Sequence, residues 1–235
     1  MFRGNMTISE DNICPKCQYP MWPNEVSCLN CVEIKRSRDE EEANKKRMEQ
    51  EKVELDTMKL GGGRAYSQFT AENFKATKET EAALSAAVNF DFKKENLYFH
   101  GPTGCGKSHL AAIAARKFLD KSVVRTIRVS DLARDIRACE SAEKEIEIIE
   151  YLASADVLVL DDLGVEKITE FVFGIIYSII DKRYQDKPYG LIITSNLFLA
   201  ELSEKFGEDR VASRLAQMCK IFHVAGKDWR ISGKS

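Results

Sequence analysis

The chain has 235 residues, with 35 Lys and Arg against 37 Asp and Glu, for a formal net charge of -2. That length leaves room for one ordinary domain plus a small module, and a 44% hydrophobic share is enough to bury a core. The near-neutral balance excludes a globally basic nucleic-acid coat, so any DNA contact needs a local patch. No apolar run reaches the roughly 18 residues of a membrane span, and the opening MFRGNMTISEDN lacks the apolar stretch of a secretory signal. The expectation is a cytoplasmic protein with no membrane partner, in which seven cysteines favour metal or free thiols over disulfides.

The first region holds Cys14-x2-Cys17, ten residues, then Cys28-x2-Cys31. Each CxxC folds back so that both sulfurs point at one ion, and Pro15 presets a turn in the first pair. Four thiolates at this spacing suit tetrahedral zinc with a structural role, because the cysteines fill the coordination sphere. So short a segment lacks the core to fold unaided, so zinc would supply the folding energy. Met21 and Trp22, between the pairs, either pack that small core or face a partner. Glu33 to Leu60 follows, with nine acidic and eight basic residues, and Glu41 and Glu42 precede Lys45 and Lys46 by four. Its apolar positions (Met48, Val53, Leu55, Met58) are too sparse for clean heptads. It reads as a solvated, partly helical spacer or a short coiled coil, ending at the Gly61–Gly63 hinge.

From Arg64 onward strands and helices alternate. The pattern predicts a strand over Leu97–His100, a helix over Lys107–Leu119 and a strand over Val123–Val129. It then predicts helical sequence to Ala153, with Ser130-Asp131 as N-cap and a break near Glu140-Ser141. Val157–Leu160 is a continuous apolar strand, followed by a helix over Ile168–Tyr184 and a strand over Leu191–Thr194. A helix about Arg210–Met218 and a strand over Ile221–Val224 close the series. Repeated βα units with buried strands imply an α/β fold, a parallel sheet with helices on both faces.

Gly101-Pro102-Thr103-Gly104-Cys105-Gly106-Lys107-Ser108 satisfies G-x-x-x-x-G-K-[ST] in full, after a predicted strand and at the start of a predicted helix. Its glycines let backbone N–H groups curl around phosphate oxygens, Lys107 would reach the β and γ phosphates of ATP, and the Ser108 hydroxyl would ligate Mg²⁺. His109 continues this nucleotide-binding set. Asp161 and Asp162 emerge after the apolar Val157–Leu160, at the sheet edge where open α/β proteins bind ligands. Asp161 is the expected magnesium partner, and Asp162 the group that orients or deprotonates the attacking water. Asn196, at the end of Thr194-Ser195-Asn196, would position that water near Asp162 and the γ-phosphate. Cys105, inside the phosphate loop, is read as a small tolerated residue.

Five stretches, NLYFHGPTGCGKSHLA, VLVLDDLG, LIITSN, GEDRVASRL and GKDWR, together resemble the AAA+ superfamily and, more narrowly, its DnaC/IstB-type ATPases. The likeness spans Arg64–Ser235. It implies an AAA+ (ASCE P-loop) sheet, and because only eleven residues follow Val224 it implies no C-terminal lid domain. It assigns Asn196 to the sensor-1 position and places Arg214, with Arg210 second, at an arginine finger acting on a neighbouring subunit; the bland reading pairs both with Glu208 or Asp209. Phe69 and Phe74 fall at the entry to the domain near the adenine, and serve either the base or the core. Arg230 is either phosphate-facing or a surface residue. Between the P-loop helix and the DDLG strand, Glu143, Glu145, Glu147 and Glu150 would repel phosphate, leaving Arg125, Arg128, Arg134 and Arg137 as DNA candidates. Asp162 stands where many relatives have Glu, which implies slow hydrolysis.

The resulting organisation is a four-cysteine zinc module at 1–33, a charged linker at 34–63 and an AAA+ ATPase domain at 64–235. By resemblance the protein is an oligomeric ATPase that loads a replicative hexameric DNA helicase onto single-stranded DNA, with Mg-ATP switching assembly and release. Self-association would run through the ATP interface, and the zinc module would dock the helicase or contact DNA. The competing readings are a transposition helper ATPase assembling on duplex DNA and a nucleotide-gated adaptor with negligible hydrolysis.

Overall fold

The computed structural model describes residues 13–18, 28, 30–42, 66, 68–139, 141–164, 169–187, 189–226 and 228–229. Met21, Trp22, the glycine hinge, the spacer beyond residue 42 and Arg230 lie outside the described residues. The chain divides into two compact units, Met1–Lys52 and Val53–Ser235. In the first, a turn carries Cys14 and Cys17, and helix α1 (30–42) begins at the second cysteine pair. Its face is exposed and polar, with an Arg36–Glu40 ion pair at 3.0 Å in the i,i+4 relation.

The second unit runs α2 (Glu81–Asn89), β1 (Asn96–His100), α3 (Lys107–Arg116), β2 (Val124–Arg128), α4 (Val129–Arg137), α5 (Ala142–Ala153), β3 (Val157–Leu163), α6 (Glu170–Asp186), β4 (Leu191–Ser195), α7 (Leu199–Phe206), α8 (Arg210–Met218) and β5 (Cys219–His223). The five strands order as β2-β3-β4-β1-β5 and every pairing is parallel. Alternate strand residues face opposite layers. Tyr98, Leu158, Leu160, Leu191 and Ile193 join a core with α4 to α8, while Leu97, Phe99, Val157, Val159 and Ile192 join a second core with α2 and α3. Both sheet faces are therefore covered, which is why these strands read as unbroken apolar runs.

Several local details differ from the sequence reading, among them the start of α4, the end of β3 and the bounds of β5 (Cys219–His223). Helix α4 starts at Val129 directly out of β2, with Arg128 as its N-cap, so Ser130 lies inside the helix. Val129 is buried, and its packing sets the start ahead of the Ser-Asp signal. The break before α5 is where expected, and Ser141 caps it by accepting from the Lys144 N–H at 3.4 Å. Strand β3 continues past Leu160 to Leu163, because β4 pairs with it on both sides of an irregularity. Helices α2 and α7 had no sequence signal strong enough to place them.

Arg183 on α6 is fully buried. Its Nη1 donates to Ala153 O at 2.9 Å and Ala155 O at 2.7 Å, and its Nη2 to Tyr189 O at 2.8 Å. Burial lowers its pKa to about 10, against a small opposing pull from Asp156. The guanidinium fork thus ties the loops before β3 and β4 to α6, a geometry a point-charge ammonium cannot reproduce. Arg183→Lys should lower the unfolding free energy by about 2–4 kcal/mol through unsatisfied buried carbonyls, read as a shift in the urea midpoint.

Candidate nucleotide and metal sites

The phosphate loop lies between β1 and α3. Gly101, Gly104 and Gly106 have φ of 149°, 77° and 103°, the left-handed region that favours glycine. A Cβ on Gly101 would sit 2.2 Å from Val224 O, and one on Gly104 would sit 2.0 Å from an Asp228 carboxylate oxygen. The loop therefore needs glycine for backbone shape and for close approach. Lys107 is 5% exposed and its Nζ donates to Gly101 O at 2.9 Å and Pro102 O at 2.7 Å, with Cys105 Sγ at 3.9 Å. Burial lowers the Lys107 pKa, while Cys105, Asp162 and Asp161 pull it upward.

Asp161 is 1% exposed and joins β3 to the start of α3 and to β4. Its Oδ1 accepts from the Ser108 hydroxyl at 2.8 Å and from the Thr194 hydroxyl at 2.6 Å. Its other oxygen faces Arg128 Nε at 4.0 Å. Between Leu160 and Leu163 the β3–β4 register shifts, so that β3 carries one extra residue. Asp162 sits in that bulge with φ 61°, a conformation Asp tolerates better than most residues, and its N–H donates to Thr194 Oγ1 at 2.9 Å. The bulge lets two successive carboxylates do different things: Asp161 stays buried beneath Ser108, while Asp162 lines the cavity. The Thr194 hydroxyl, which links the two, was not singled out from the sequence; its place one residue before the polar strand end was the available signal.

That cavity has a volume of about 560 Å³ and brings together Thr103, Lys107, Ser108, Asp162, Asn196 and, at the far end, Phe69, Phe74, His109 and Trp229. Phe69 stacks on His109 with ring centroids 4.6 Å apart, and Phe74 meets the same ring edge-on at 5.1 Å. The His109 Nε2 lies 2.8 Å from Thr70 O, and burial lowers its pKa, so the ring is a neutral aromatic wall at pH 7. Asn196 reaches Thr103 Oγ1 at 3.4 Å. Trp229 was not foreseen as a site residue; its backbone N–H donates to Gly104 O at 3.3 Å, and Lys75 Nζ lies 5.3 Å over its ring. Glycine backbone, a buried lysine, a hydroxyl–carboxylate pair and an aromatic end form a fitting cradle for a nucleoside triphosphate with a divalent cation.

The candidate fingers lie elsewhere. Arg210 and Arg214 line a separate shallow cavity with Tyr177, Asp209, Ser213 and Gln217, and neither lines the nucleotide cavity. Arg210 Nε donates to Glu208 at 2.7 Å. Arg214 pairs with Asp181 at 2.8 Å, rather than with Glu208 or Asp209, and lies 4.2 Å over the Tyr184 ring. The Tyr177 hydroxyl, then the Asp181 carboxylate, raise its already high pKa. Of the arginines expected to meet DNA, Arg125 donates to Tyr151 O and Ser154, Arg128 faces Asp161, and Arg134 pairs with Asp131 at 3.0 Å. Those intrachain partners reduce their availability as bare phosphate ligands.

In the first unit the four Sγ atoms of Cys14, Cys17, Cys28 and Cys31 lie within 4.8 Å of one another. Cys14–Cys31 is 3.6 Å and Cys17–Cys28 is 3.5 Å, far beyond a disulfide bond. Four sulfurs each about 2.3 Å from one tetrahedral zinc would stand ~3.8 Å apart, so the donor set fits. Backbone N–H groups of Cys17 and Lys16 lower the Cys14 pKa, whereas the thiols of Cys17 and Cys14 push Cys31 up to about 12. Four thiolates this close need a cation to ionise together.

Strand order, phosphate loop and acidic bulge define an AAA+ type P-loop protein. The family model described as IstB-like ATP binding protein matches residues 24–235, and the chain belongs to that family of ATP-binding proteins. The Escherichia coli K12 replicative helicase loader DnaC is 31% identical over 176 residues, covering 69% of this chain and 70% of its own length. A putative ATP-binding protein of insertion sequence IS5376 from Geobacillus stearothermophilus is 28% identical over 171 residues, covering 71% of this chain and 66% of its own, just under two thirds. The crystal structure of the DnaC helicase loader aligns at TM-score 0.59 and 23% identity, over 68% of this chain and 99% of that one. AMPPCP-bound DnaA from Aquifex aeolicus aligns at TM-score 0.57 and 22% identity, over 67% of this chain and 50% of that one, a likeness of fold.

Thr194→Val removes the hydroxyl between Asp161 and the Asp162 N–H. It should cost about 1–3 kcal/mol in thermal or denaturant unfolding and weaken Mg-ATP binding. Native mass spectrometry should find one zinc per chain; a strong chelator should remove it and open residues 13–42 to proteolysis, an outcome a metal-free fold would not give.

Proposed function

We propose that this chain is an ATP-switched loader of a replicative hexameric helicase. Three parts share the work: a zinc-binding module over 1–33 that docks the helicase, a linker over 34–63, and the ATPase domain over 64–235. The observation that carries this reading is the 31% identity to the DnaC loader over 176 residues, beside a cavity lined by phosphate-loop residues.

In this reading the P-loop amides and Lys107 bind the phosphates. Lys107 exchanges its two loop carbonyls for phosphate oxygens, which a short swing of its side chain allows. Ser108 and Asp161 hold the divalent cation, which when bound neutralises charge on the phosphates. Asp162, freed from the strand by the bulge, orients the attacking water, and Asn196 holds it from the Thr103 side. Phe69, Phe74 and His109 form the aromatic wall for the base. Arg214, with Arg210 beside it, serves the nucleotide of an adjacent subunit, since neither reaches the cavity of its own chain. ATP binding then favours an assembly that holds helicase and single-stranded DNA, and slow hydrolysis releases it.

A second reading, a transposition helper that assembles on duplex DNA, is favoured by the IS5376 relative, whose match covers slightly more of this chain. One experiment separates the two. The protein is mixed with its host's hexameric helicase, with and without Mg-ATP, and the species are weighed by native mass spectrometry. A defined complex that forms with wild type and loses its nucleotide response in Lys107→Ala is the expected result. Absence of any complex, with both proteins folded and the wild type binding nucleotide, overturns the loader reading; Mg-ATP-dependent assembly on duplex DNA would then support the helper.

A further inference from the structure

Tyr66 precedes the nucleotide domain's aromatic wall and belongs to none of the motifs. It is 1% exposed, and its ring packs with Phe69 at 5.8 Å between centroids. Its backbone carbonyl is held from two sides, by Arg116 Nη2 at 3.2 Å and by the Phe69 N–H at 3.3 Å. These contacts fix the backbone at Tyr66. Among the described residues its hydroxyl nevertheless has no hydrogen-bond partner. The polar groups that face it are Asp161 and Ser108, close enough to act on it electrostatically but outside hydrogen-bonding geometry, with Asp162 farther off.

A buried hydroxyl without a partner is costly, and a phenylalanine would fill the same apolar space without that cost. The placement makes sense if the hydroxyl is used when the cation is bound. Asp161 Oδ1 already accepts from Ser108 and Thr194, while among the described residues its other oxygen faces Arg128 at 4.0 Å. A donor aimed at this carboxylate can fix its rotation, and such outer partners commonly govern how well a carboxylate binds metal.

We propose that Tyr66 is a positioning residue for the divalent cation of the nucleotide site, its hydroxyl donating to the Asp161 carboxylate once Ser108 turns to the metal. This rests on the Mg-ATP reading of the same site. The test compares wild type with Tyr66→Phe in two measurements: nucleotide affinity across a Mg²⁺ titration, including excess chelator, and Tm without nucleotide or metal. The half-saturating Mg²⁺ concentration should rise about tenfold or more in the variant. Affinity in chelator should stay unchanged, and the metal-free Tm should hold or rise by ~2–4 °C. A variant with wild-type Mg²⁺ requirement overturns the proposal, as does an equal loss of affinity with and without metal, or a metal-free Tm that falls. If wild-type affinity itself ignores Mg²⁺, the Mg-ATP reading fails first.

Discussion

A single buried carboxylate oxygen holds the site together. Asp161 Oδ1 accepts from a hydroxyl at the start of α3 and from one on β4, at 2.8 and 2.6 Å. Three segments far apart in sequence thereby converge on one atom that is sheltered from water. A charged acceptor in such a place is sustained only by donors. Ser108, Thr194 and the more distant Arg128 supply them, delivered by α3, β4 and β2 respectively. The P-loop in its place over β1 meets Asp161 through Ser108, so the proposed metal-binding pair is organised by the fold itself.

The strand order makes that convergence possible. β4 lies between β1 and β3, so the residues at its end stand between phosphate loop and acidic pair. Thr194 uses that position inward, bridging Asp161 and the Asp162 backbone, while Asn196 uses it outward, toward Thr103. The β3 bulge is the complementary device. In a regular strand Asp161 and Asp162 would point to opposite faces and the second would be buried or lost to the core. The extra residue, with Asp162 at φ 61°, turns the second carboxylate into the cavity instead. This local departure from ideal strand geometry, at a group lining the cavity, is maintained by the surrounding core.

Much of this was legible in the sequence because it is local. The phosphate loop needs glycine at fixed offsets, β3 needs consecutive apolar residues to be covered on both faces, and CxxC pairs announce a four-sulfur cluster. What was not legible depends on contacts across the sheet. Nothing near Thr194 says that its hydroxyl will meet a carboxylate 33 positions earlier. Arg183 reads as one charge on a helix, yet it satisfies three carbonyls inside the protein. Tyr66 stands in a stretch without any pattern. Arg214 was read as an arginine finger, with pairing to Glu208 or Asp209 as the bland alternative; α6 instead supplies Asp181, because the two helices pack side by side.

The last of these contacts bears on how an assembly would work. An arginine that acts on a neighbour's nucleotide has to be presented, and a long side chain loses considerable rotamer freedom when fixed. Asp181, Tyr177 and Tyr184 restrict Arg214 in the isolated chain, so much of that loss is met before any partner arrives. The same contacts also compete with a phosphate for the guanidinium. Whether they favour or oppose transfer depends on the charge at the other side: a triphosphate carries more negative charge than Asp181, and a diphosphate less than the triphosphate. If Arg214 serves a neighbour's nucleotide as proposed, the ion pair would let it discriminate between nucleotide states without moving the backbone. In the proposed loader, this couples the identity of the bound nucleotide to the stability of the assembly through one side chain.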